Sequence, residues 1–431
     1  MKTPPALKTE VRPGLGRELR RSLVAGVLAL VMALGIGRFA YTPILPAMQG
    51  RFDLSNTIAG ALASSNYLGY LLGAVLATFV PAGRAQGTLL RASLLVAAIS
   101  TVLMGLTASY PLWLILRFAA GLASAGVFVF ASAVVLEELS SRGRPGLSGL
   151  FYSGPGIGIA LSGLLVLPLN ALLAGEPETW RADWLLLGSV ALVLMIPCMA
   201  WLPRNEAMEE TAGNVGSVTS GTEPEAESAM PAGVTLAIVL LCLAYFLAGA
   251  GYIVTGTFLP TIVEDIPGLE GLGAGAWILV GLAAAPSTVL WTRMASRVGT
   301  VAALVAAYVA QATGILLPAV FDAKWAAACS ALLFGGTFMG ITALTVTYGR
   351  RVTGGRRAGL AIGLLTAAFG AGQVLGPLVA AHLADEAGNF GPALIAASAA
   401  VALGGLLMPI VGLFGTTSLG DRKEYVHGNR H

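Results

Sequence analysis

Charge is what this sequence has least of. Asp, Glu, Lys and Arg make up only 11% of its 431 residues, less than half of the roughly 25% found in an ordinary soluble domain. Together with 56% hydrophobic residues, that scarcity excludes a soluble enzyme and a basic nucleic-acid surface. Cysteine is nearly missing too. Cys198, Cys242 and Cys329 all fall in apolar stretches with no Cys-x-x-Cys spacing, so neither a disulfide nor a zinc site is expected and all three are expected to be buried. No Gly-x-x-x-x-Gly-Lys-Ser/Thr loop is present, which excludes direct drive by nucleotide hydrolysis. No catalytic constellation, metal site or cofactor is implied. The most informative absence concerns carboxylates: the 22 acidic residues all map to loops, tails or span ends, and none lies deep in an apolar run.

What is abundant is long apolar sequence. Runs of about 20 residues, the length that crosses a bilayer as a helix, lie near 22–47, 55–80, 88–108, 110–136, 146–174, 183–203, 233–262, 271–292, 299–320, 325–348, 357–384 and 390–414. The basic, then apolar N-terminus has the look of a secretory signal, but its run is too long and more spans follow, so it is expected to be retained as the first helix. The expectation is an all-α membrane protein of twelve transmembrane helices. Its parts are an N-tail (1–21), a six-helix bundle (22–203), a polar Glu-rich linker (204–232), a second six-helix bundle (233–415) and a C-tail (416–431). The linker reads as a solvated tether or as a regulatory segment.

Basic residues orient the chain. With both termini in the cytoplasm, 20 of the 25 Lys and Arg residues fall on the cytoplasmic side and only Arg51, Arg181 and Lys324 on the other, the bias expected for cytoplasmic loops. Short acidic loops at Asp53, Glu176 to Asp183, Glu264 to Glu270, Asp322 and Asp385 to Glu386 face out. The remaining two cations, Arg38 and Arg117, lie inside spans.

The two bundles repeat one another. Gly37 to Pro46 matches Gly251 to Pro260, and at the same spacing Gly121 and Gly126 match Gly335 and Gly340, while Gly149, Gly156 and Gly158 match Gly363, Gly370 and Gly372. Two parallel six-helix halves with a substrate site between them near the midplane is the arrangement that such repeats build in secondary transporters.

Arg117-Phe-Ala-Ala-Gly121 in the fourth span is similar to the Arg-x-x-x-Gly element of the major facilitator superfamily, and Gly154-Pro155-Gly156-Ile157-Gly158 in the fifth to its Gly-Pro element. More narrowly, GIGRFAYTPILPAM (35–48), SNYLGYLLGA (65–74) and LLFGGTFMGITAL (332–344) resemble the bacterial YbfB/YjiJ-like branch. The resemblance covers nearly the whole chain and implies the major facilitator fold, two pseudo-symmetric bundles working by alternating access. It implies an inner-membrane protein without naming a substrate. One departure stands out. The superfamily's acidic loop motif is degraded: PAGRAQGTLLR joins the second and third spans without an acid, and TRMASRVGT joins the eighth and ninth with Ser296 where the acid belongs.

Candidate site residues follow from which polar groups lie at depth. A guanidinium inside a span faces a cavity or a partner and not lipid. Arg38, flanked by Gly35, Gly37, Pro43 and Pro46, is read as an anion-binding group or as an Arg capped by backbone carbonyls at a helix break. Arg117 is read as a second substrate contact or as a conformational-coupling residue, a role shared with Gly154, Pro155 and Gly156. Tyr41, Asn66, Tyr67, Tyr252 and Gln373 complete the candidate substrate set, with Tyr70 beside them. Interhelical hydrogen bonding is the alternative for Asn66, Tyr67, Tyr70 and Gln373, and plain packing for Tyr252. His382 is either a proton-coupling group or a residue of the outer rim, and Glu137 and Glu138 are expected to pair with Arg142 and Arg144. Two permanent cations without buried acids point to a small organic anion, carboxylate-like, moved with a proton or by exchange. Export of amphipathic metabolites or drugs, favoured by the Gly-Pro element, is the alternative, and a non-transporting sensor a third. The expected partners are a small-molecule substrate and the lipid bilayer, with no nucleic acid, and the chain is expected to be monomeric.

Overall fold

Twelve helices, each apolar and long enough to cross a membrane, account for almost all of the described chain. The structure, a computed structural model, describes residues 16–81, 83–202, 232–354 and 357–428, with side chains to 415. The helices are α1 (Arg17–Phe52), α2 (Asn56–Ala77), α3 (Arg84–Leu106), α4 (Tyr110–Ser141), α5 (Pro145–Leu172), α6 (Thr179–Trp201), α7 (Ala232–Glu264), α8 (Gly273–Val298), α9 (Thr300–Val320), α10 (Lys324–Thr353), α11 (Ala358–Ala387) and α12, whose span is Gly391–Gly415. An even number of crossings puts the start of α1 and the end of α12 on one face, the near side, and the turn at Asp53 on the far side. The linker 204–232 lies almost wholly outside the described residues.

The halves meet along three helix pairs, α1 with α7, α2 with α11 and α5 with α8. Helices α3, α6, α9 and α12 pack on the outside of their own halves. The repeat relation explains the pairing. The Thr42 hydroxyl donates to the Gly256 carbonyl at 2.8 Å across a separation of 214 residues, the spacing at which the halves repeat, so Thr42 meets its own counterpart at the pseudo-twofold axis. The α5–α8 and α2–α11 contacts are then copies of one interface.

Small residues decide how closely each copy packs. In bilayers helices are held by close contact and not by hydrophobic expulsion, so glycine and alanine set the approach. A Cβ on Gly156 would collide with the Ala285 backbone and one on Gly281 with that of Ala160, whereas at the equivalent point of the other interface Gly370 meets only the Leu71 side chain. On the opposite face of α5, Gly158 lies against Gly35 of α1, and Gly154 against Val27 and Leu30.

On the far side the α2–α11 pair is shut. Asp385 accepts hydrogen bonds from the backbone N–H of Asn56 (3.0 Å) and Thr57 (2.8 Å) and from the Thr57 hydroxyl (2.6 Å). Gln49 of α1 accepts from Thr261 of α7 at 3.1 Å, and Ser64 donates to the Val374 carbonyl at 2.7 Å. The half-exposed rings of Tyr70, Phe128, Tyr152 and Phe369 all lie on the near side of these contacts. The molecule is closed toward the far side.

Two local expectations change. Asp385 and Glu386 belong to the last turn of α11 and not to a loop. Cys198 is buried, with its thiol donating to Ala25 O and Leu194 O, but Cys242 is half-buried and Cys329 exposed on α10. The physical reason is that a lipid-facing surface is as apolar as an interior, so apolar sequence around a cysteine does not specify burial. The three are free thiols.

Candidate functional site

The site begins with a break in α1. The helix is regular through Leu30, widens into a π turn over Val31–Ile36, and resumes as a regular helix over Tyr41–Phe52. Gly37 and Phe39 donate five residues back, to Met32 O (2.8 Å) and Leu34 O (3.2 Å). Pro43 has no N–H to give to Phe39 O, and that carbonyl is taken instead by Thr42 N at 3.2 Å. The carbonyl of Arg38 is thereby left without a helical donor. Residues 31–45 are all buried, as irregular backbone at membrane depth must be.

Arg117 supplies the missing donor. Its Nη2 donates to Arg38 O at 3.2 Å and its Nε to Leu62 O at 3.4 Å, tying α4 to both α1 and α2. The guanidinium carbon sits 4.7 Å from the centre of the Tyr41 ring, and the Tyr41 hydroxyl donates to Ala59 O at 2.9 Å. Asn66 donates to the Arg117 carbonyl at 2.8 Å. Arg117, Tyr41 and Asn66 thus form a knot among α1, α2 and α4, with hydrogen bonds directed mainly to backbone. The second half has no such knot. At the spacing of the repeat, Ala331 stands for Arg117 and Thr257 for Pro43, and α7 is one uninterrupted helix.

Arg38 is different. It is 4% exposed, and its Nε and Nη2 have no hydrogen-bond partner among the described residues. No carboxylate among those residues is paired with Arg38 or Arg117. Nε and Nη2 lie along one edge of the guanidinium, where two parallel N–H groups match the two oxygens of a carboxylate. The charge is held instead by aromatic faces: the guanidinium carbon lies 4.0 Å from the centre of the Tyr70 ring, 5.0 Å from Tyr67 and 5.3 Å from Phe39. Such contacts stabilise a desolvated cation by about 2 kcal/mol, and they leave its hydrogen-bonding edge free.

The other half contributes a cluster of rings around Tyr252. Tyr252 lies nearly parallel to Phe334, Phe338 and Phe369, with centroids 6.0, 5.8 and 5.3 Å away and interplanar angles of 19°, 12° and 11°. Tyr245 stacks on Phe369 at 4.2 Å, and Phe39 reaches across to Phe338 and Trp277. The Gln373 amide donates to the Tyr252 hydroxyl, leaving Gln373 Oε1, like Asn66 Oδ1, without a donor among the described residues. The Tyr67 and Thr257 hydroxyls are 3.3 Å apart and close the seam.

Other candidates are placed as follows. Gly154, Pro155 and Gly156 begin the long segment of α5, with Gly154 against α1 and Gly156 against α8. His382 is exposed, its Nε2 3.3 Å from Glu386, which puts it at the rim. Glu138 pairs with Arg142 at 3.3 Å, and Arg142 also reaches Glu18 at 3.2 Å. Asp183 corrects the expectation of a water-facing acidic loop. It lies in the first turns of α6, fully buried, and the Asn170 amide, in the orientation that satisfies both groups, donates to its two oxygens at 3.0 Å. The sequence cue was available: Thr-Trp-Arg-Ala-Asp-Trp puts Asp183 one turn after Trp180 and beside Trp184, both of them buried.

Sequence reasoning missed Tyr245, Phe334, Phe338 and Phe369. The four-residue spacing of Phe334 and Phe338, which puts both on one helix face, was a signal for two of them.

Comparison with known proteins agrees with this architecture. The family model described as "Uncharacterised MFS-type transporter YbfB" matches residues 30–409. A relative from Bacillus subtilis (strain 168), the uncharacterized MFS-type transporter YceJ, is 28% identical over 278 residues, 63% of this chain and 66% of its own. The inner membrane transport protein YdhP of Escherichia coli (strain K12) is 24% identical over 184 residues, 42% of this chain and 46% of its own. The alignments therefore span about two thirds and about half of these relatives. Among solved structures, a D-xylose-proton symporter superposes with a TM-score of 0.71 at 15% identity, covering 91% of this chain and 97% of that one. The nucleoside transporter NupG (D323A mutant) gives 0.66 at 12% identity, covering 92% and 99%. At such identities these two show the fold alone. The twelve-helix repeat, the Arg38 break and the family match over most of the chain lead to one conclusion: this protein belongs to the YbfB-like family of MFS-type transporters.

Proposed function

We propose that this protein is a secondary active transporter that moves a small organic anion by alternating access, with Arg38 as the counter-charge. The observation that carries the reading is the buried Arg38 guanidinium, held by aromatic faces with its Nε–Nη2 edge unbonded. Arg117 serves the site as a positioning residue, fixing the backbone from which Arg38 projects. Tyr67, Tyr252 and Gln373 line the site, and Tyr41 and Asn66 support it from behind. The distribution of Lys and Arg favours an inner-membrane location with both termini in the cytoplasm, so the far side is the outside and the observed state is closed outward. Co-transport with a proton or exchange for a second anion both suit a site walled by cations and rings. The chain works as a monomer in this reading, since the site is complete within it.

The test is binding by the purified protein to a panel of organic acids, followed by uptake into proteoliposomes. Losing a charge-assisted hydrogen-bonded pair removes about 1.5–3 kcal/mol, so Arg38→Ala is expected to weaken anion binding by roughly 10- to 100-fold. Arg38→Lys is not expected to rescue it, because an ammonium lacks the paired donors. Wild-type transport by Arg38→Ala overturns the reading. The alternative, export of amphipathic compounds, draws on the Gly154-Pro155-Gly156 element and the aromatic lining, and it predicts that neutral or cationic amphiphiles bind as tightly as anions.

A further inference from the structure

The second half carries a cleft that shares no lining residue with the Arg38 site. It opens at the near-side ends of α9, α10 and α12 and has a volume of about 760 Å³, within the range of roughly 300–1,000 Å³ usual for small-molecule sites. Its walls are apolar, with Val301 and Val305 of α9 and Pro409 of α12 among them. Buried Tyr348 lines it as well, but its hydroxyl is spent on Val411 O at 3.4 Å. At about 1.5 Å per residue, Thr300 to Val305 covers roughly 8 Å of depth, so the cleft runs from the end of α9 down into the hydrocarbon layer.

The mouth of this cleft is cationic. Arg351 is exposed there, and its Nη1 donates to the Thr300 hydroxyl at 3.3 Å, which pins the guanidinium at the first turn of α9. The N-cap of that helix is Gly299, at φ +90° and without a capping side chain, so the first N–H groups keep their donors free and the helix dipole adds positive charge. No acid stands against these groups. Between Glu270 and Asp385 the sequence has a single carboxylate, Asp322 on the far side, and Ser296 occupies the acidic place of the loop motif. Arg293, Arg297, Arg350 and Arg351 are all exposed and pair with no carboxylate among the described residues. The first half is built differently: at the spacing of the repeat Glu137 stands for Arg351, and Arg142 is paired with Glu18 and Glu138.

We infer that this cleft binds one anionic phospholipid, its phosphate between Arg351 and the N-terminus of α9 and an acyl chain along Val301, Val305 and Pro409. A soluble phosphate satisfies the mouth but leaves the apolar walls unfilled, and a neutral lipid fills the walls but brings no net charge to the mouth. With the orientation proposed above, this end of the protein lies in the cytoplasmic leaflet, where anionic lipids set a negative surface potential and basic pockets between helices take their headgroups.

The experiment is native mass spectrometry of the full chain, delipidated in detergent and titrated with dioleoylphosphatidylglycerol or dioleoylphosphatidylcholine. Phosphatidylglycerol is expected to bind at least about fivefold more tightly, the worth of one cation at a membrane surface. Arg351→Gln is expected to remove that preference while leaving phosphatidylcholine within about twofold. Arg293→Gln, an equal loss of charge outside the cleft, is expected to leave both lipids within about twofold. Equal binding of the two lipids by the wild-type protein overturns the inference, and that comparison needs no variant to fold. Equal losses from Arg351→Gln and Arg293→Gln also overturn it, since the attraction then belongs to the whole basic face. Displacement of phosphatidylglycerol by millimolar glycerol 3-phosphate overturns the lipid as occupant in favour of a soluble phosphate ester. Binding in detergent does not depend on orientation, so failure of this site and failure of the proposed topology are separate results.

Discussion

At the scale of single residues, two buried arginines of the same type have different jobs, and hydrogen bonding tells them apart. Arg117 donates from Nε and Nη2 to two backbone carbonyls on neighbouring helices, with only Nη1 unbonded among the described residues. Arg38 donates from neither Nε nor Nη2. Removing a charged donor from buried carbonyls lowers stability by about 1.5–3 kcal/mol, so Arg117→Ala is expected to lower the melting temperature of the detergent-solubilised protein by several degrees. Arg38→Leu is expected to keep or raise it, because the substitution removes a desolvated charge that no carboxylate among the described residues pairs with. A thermal-unfolding comparison of the two variants checks this. The reverse order of stabilities would mean that Arg38 holds the fold and Arg117 does not.

Helices in this protein are placed by the residues they lack. Gly156 lets α5 meet α8 backbone to backbone, and a Cβ there collides with the main chain of Ala285, while a Cβ on Gly363 of α11 meets nothing within 4 Å. Gly→Ala in an exposed helix interior gains about 1 kcal/mol from propensity, whereas overpacking a close contact loses about 1–3 kcal/mol. The two substitutions are therefore expected to have opposite signs: Gly363→Ala mildly stabilising and Gly156→Ala destabilising. Melting temperature and monodispersity on size-exclusion chromatography read both. The α1 break belongs to this scale as well. Its π turn persists because Pro43 frees a carbonyl and Arg117 satisfies one, and the counterparts of those residues in the second half, Thr257 and Ala331, do neither.

For the whole molecule the question is what holds one side shut. Asp385 takes three hydrogen bonds from the N-terminal turn of α2, where the helix dipole also favours negative charge. The alternating access proposed for this protein requires that set to break. Asp385→Ala is expected to shift the population toward a far-side-open state, because a conformational equilibrium moves by the differential stability of its two ends. Spin labels at Asp53→Cys and Asn389→Cys, on a background lacking Cys198, Cys242 and Cys329, report the change. The distance distribution is expected to broaden and lengthen in the variant. An unchanged distribution would show that the α5–α8 and α1–α7 contacts hold closure without Asp385.

Much of this was legible in the sequence. Twelve spans follow from the length of apolar runs, since a bilayer admits only helices or closed barrels, and the internal repeat follows from glycines recurring at one spacing. Arg38 announced itself because a charge so deep has few physical excuses. What the chain could not disclose by itself was which polar atoms remain free. Arg38 and Arg117 look alike in the sequence, and only packing shows that Arg117 is spent on the carbonyl that Pro43 leaves behind. Exposure was hidden for the same reason: lipid and protein interior are equally apolar, so Cys329 on the surface and Asp183 in the interior both defied their surroundings in the sequence. The ring stack around Tyr252 brings together α7, α10 and α11, far apart along the chain, and that convergence is a property of the fold alone.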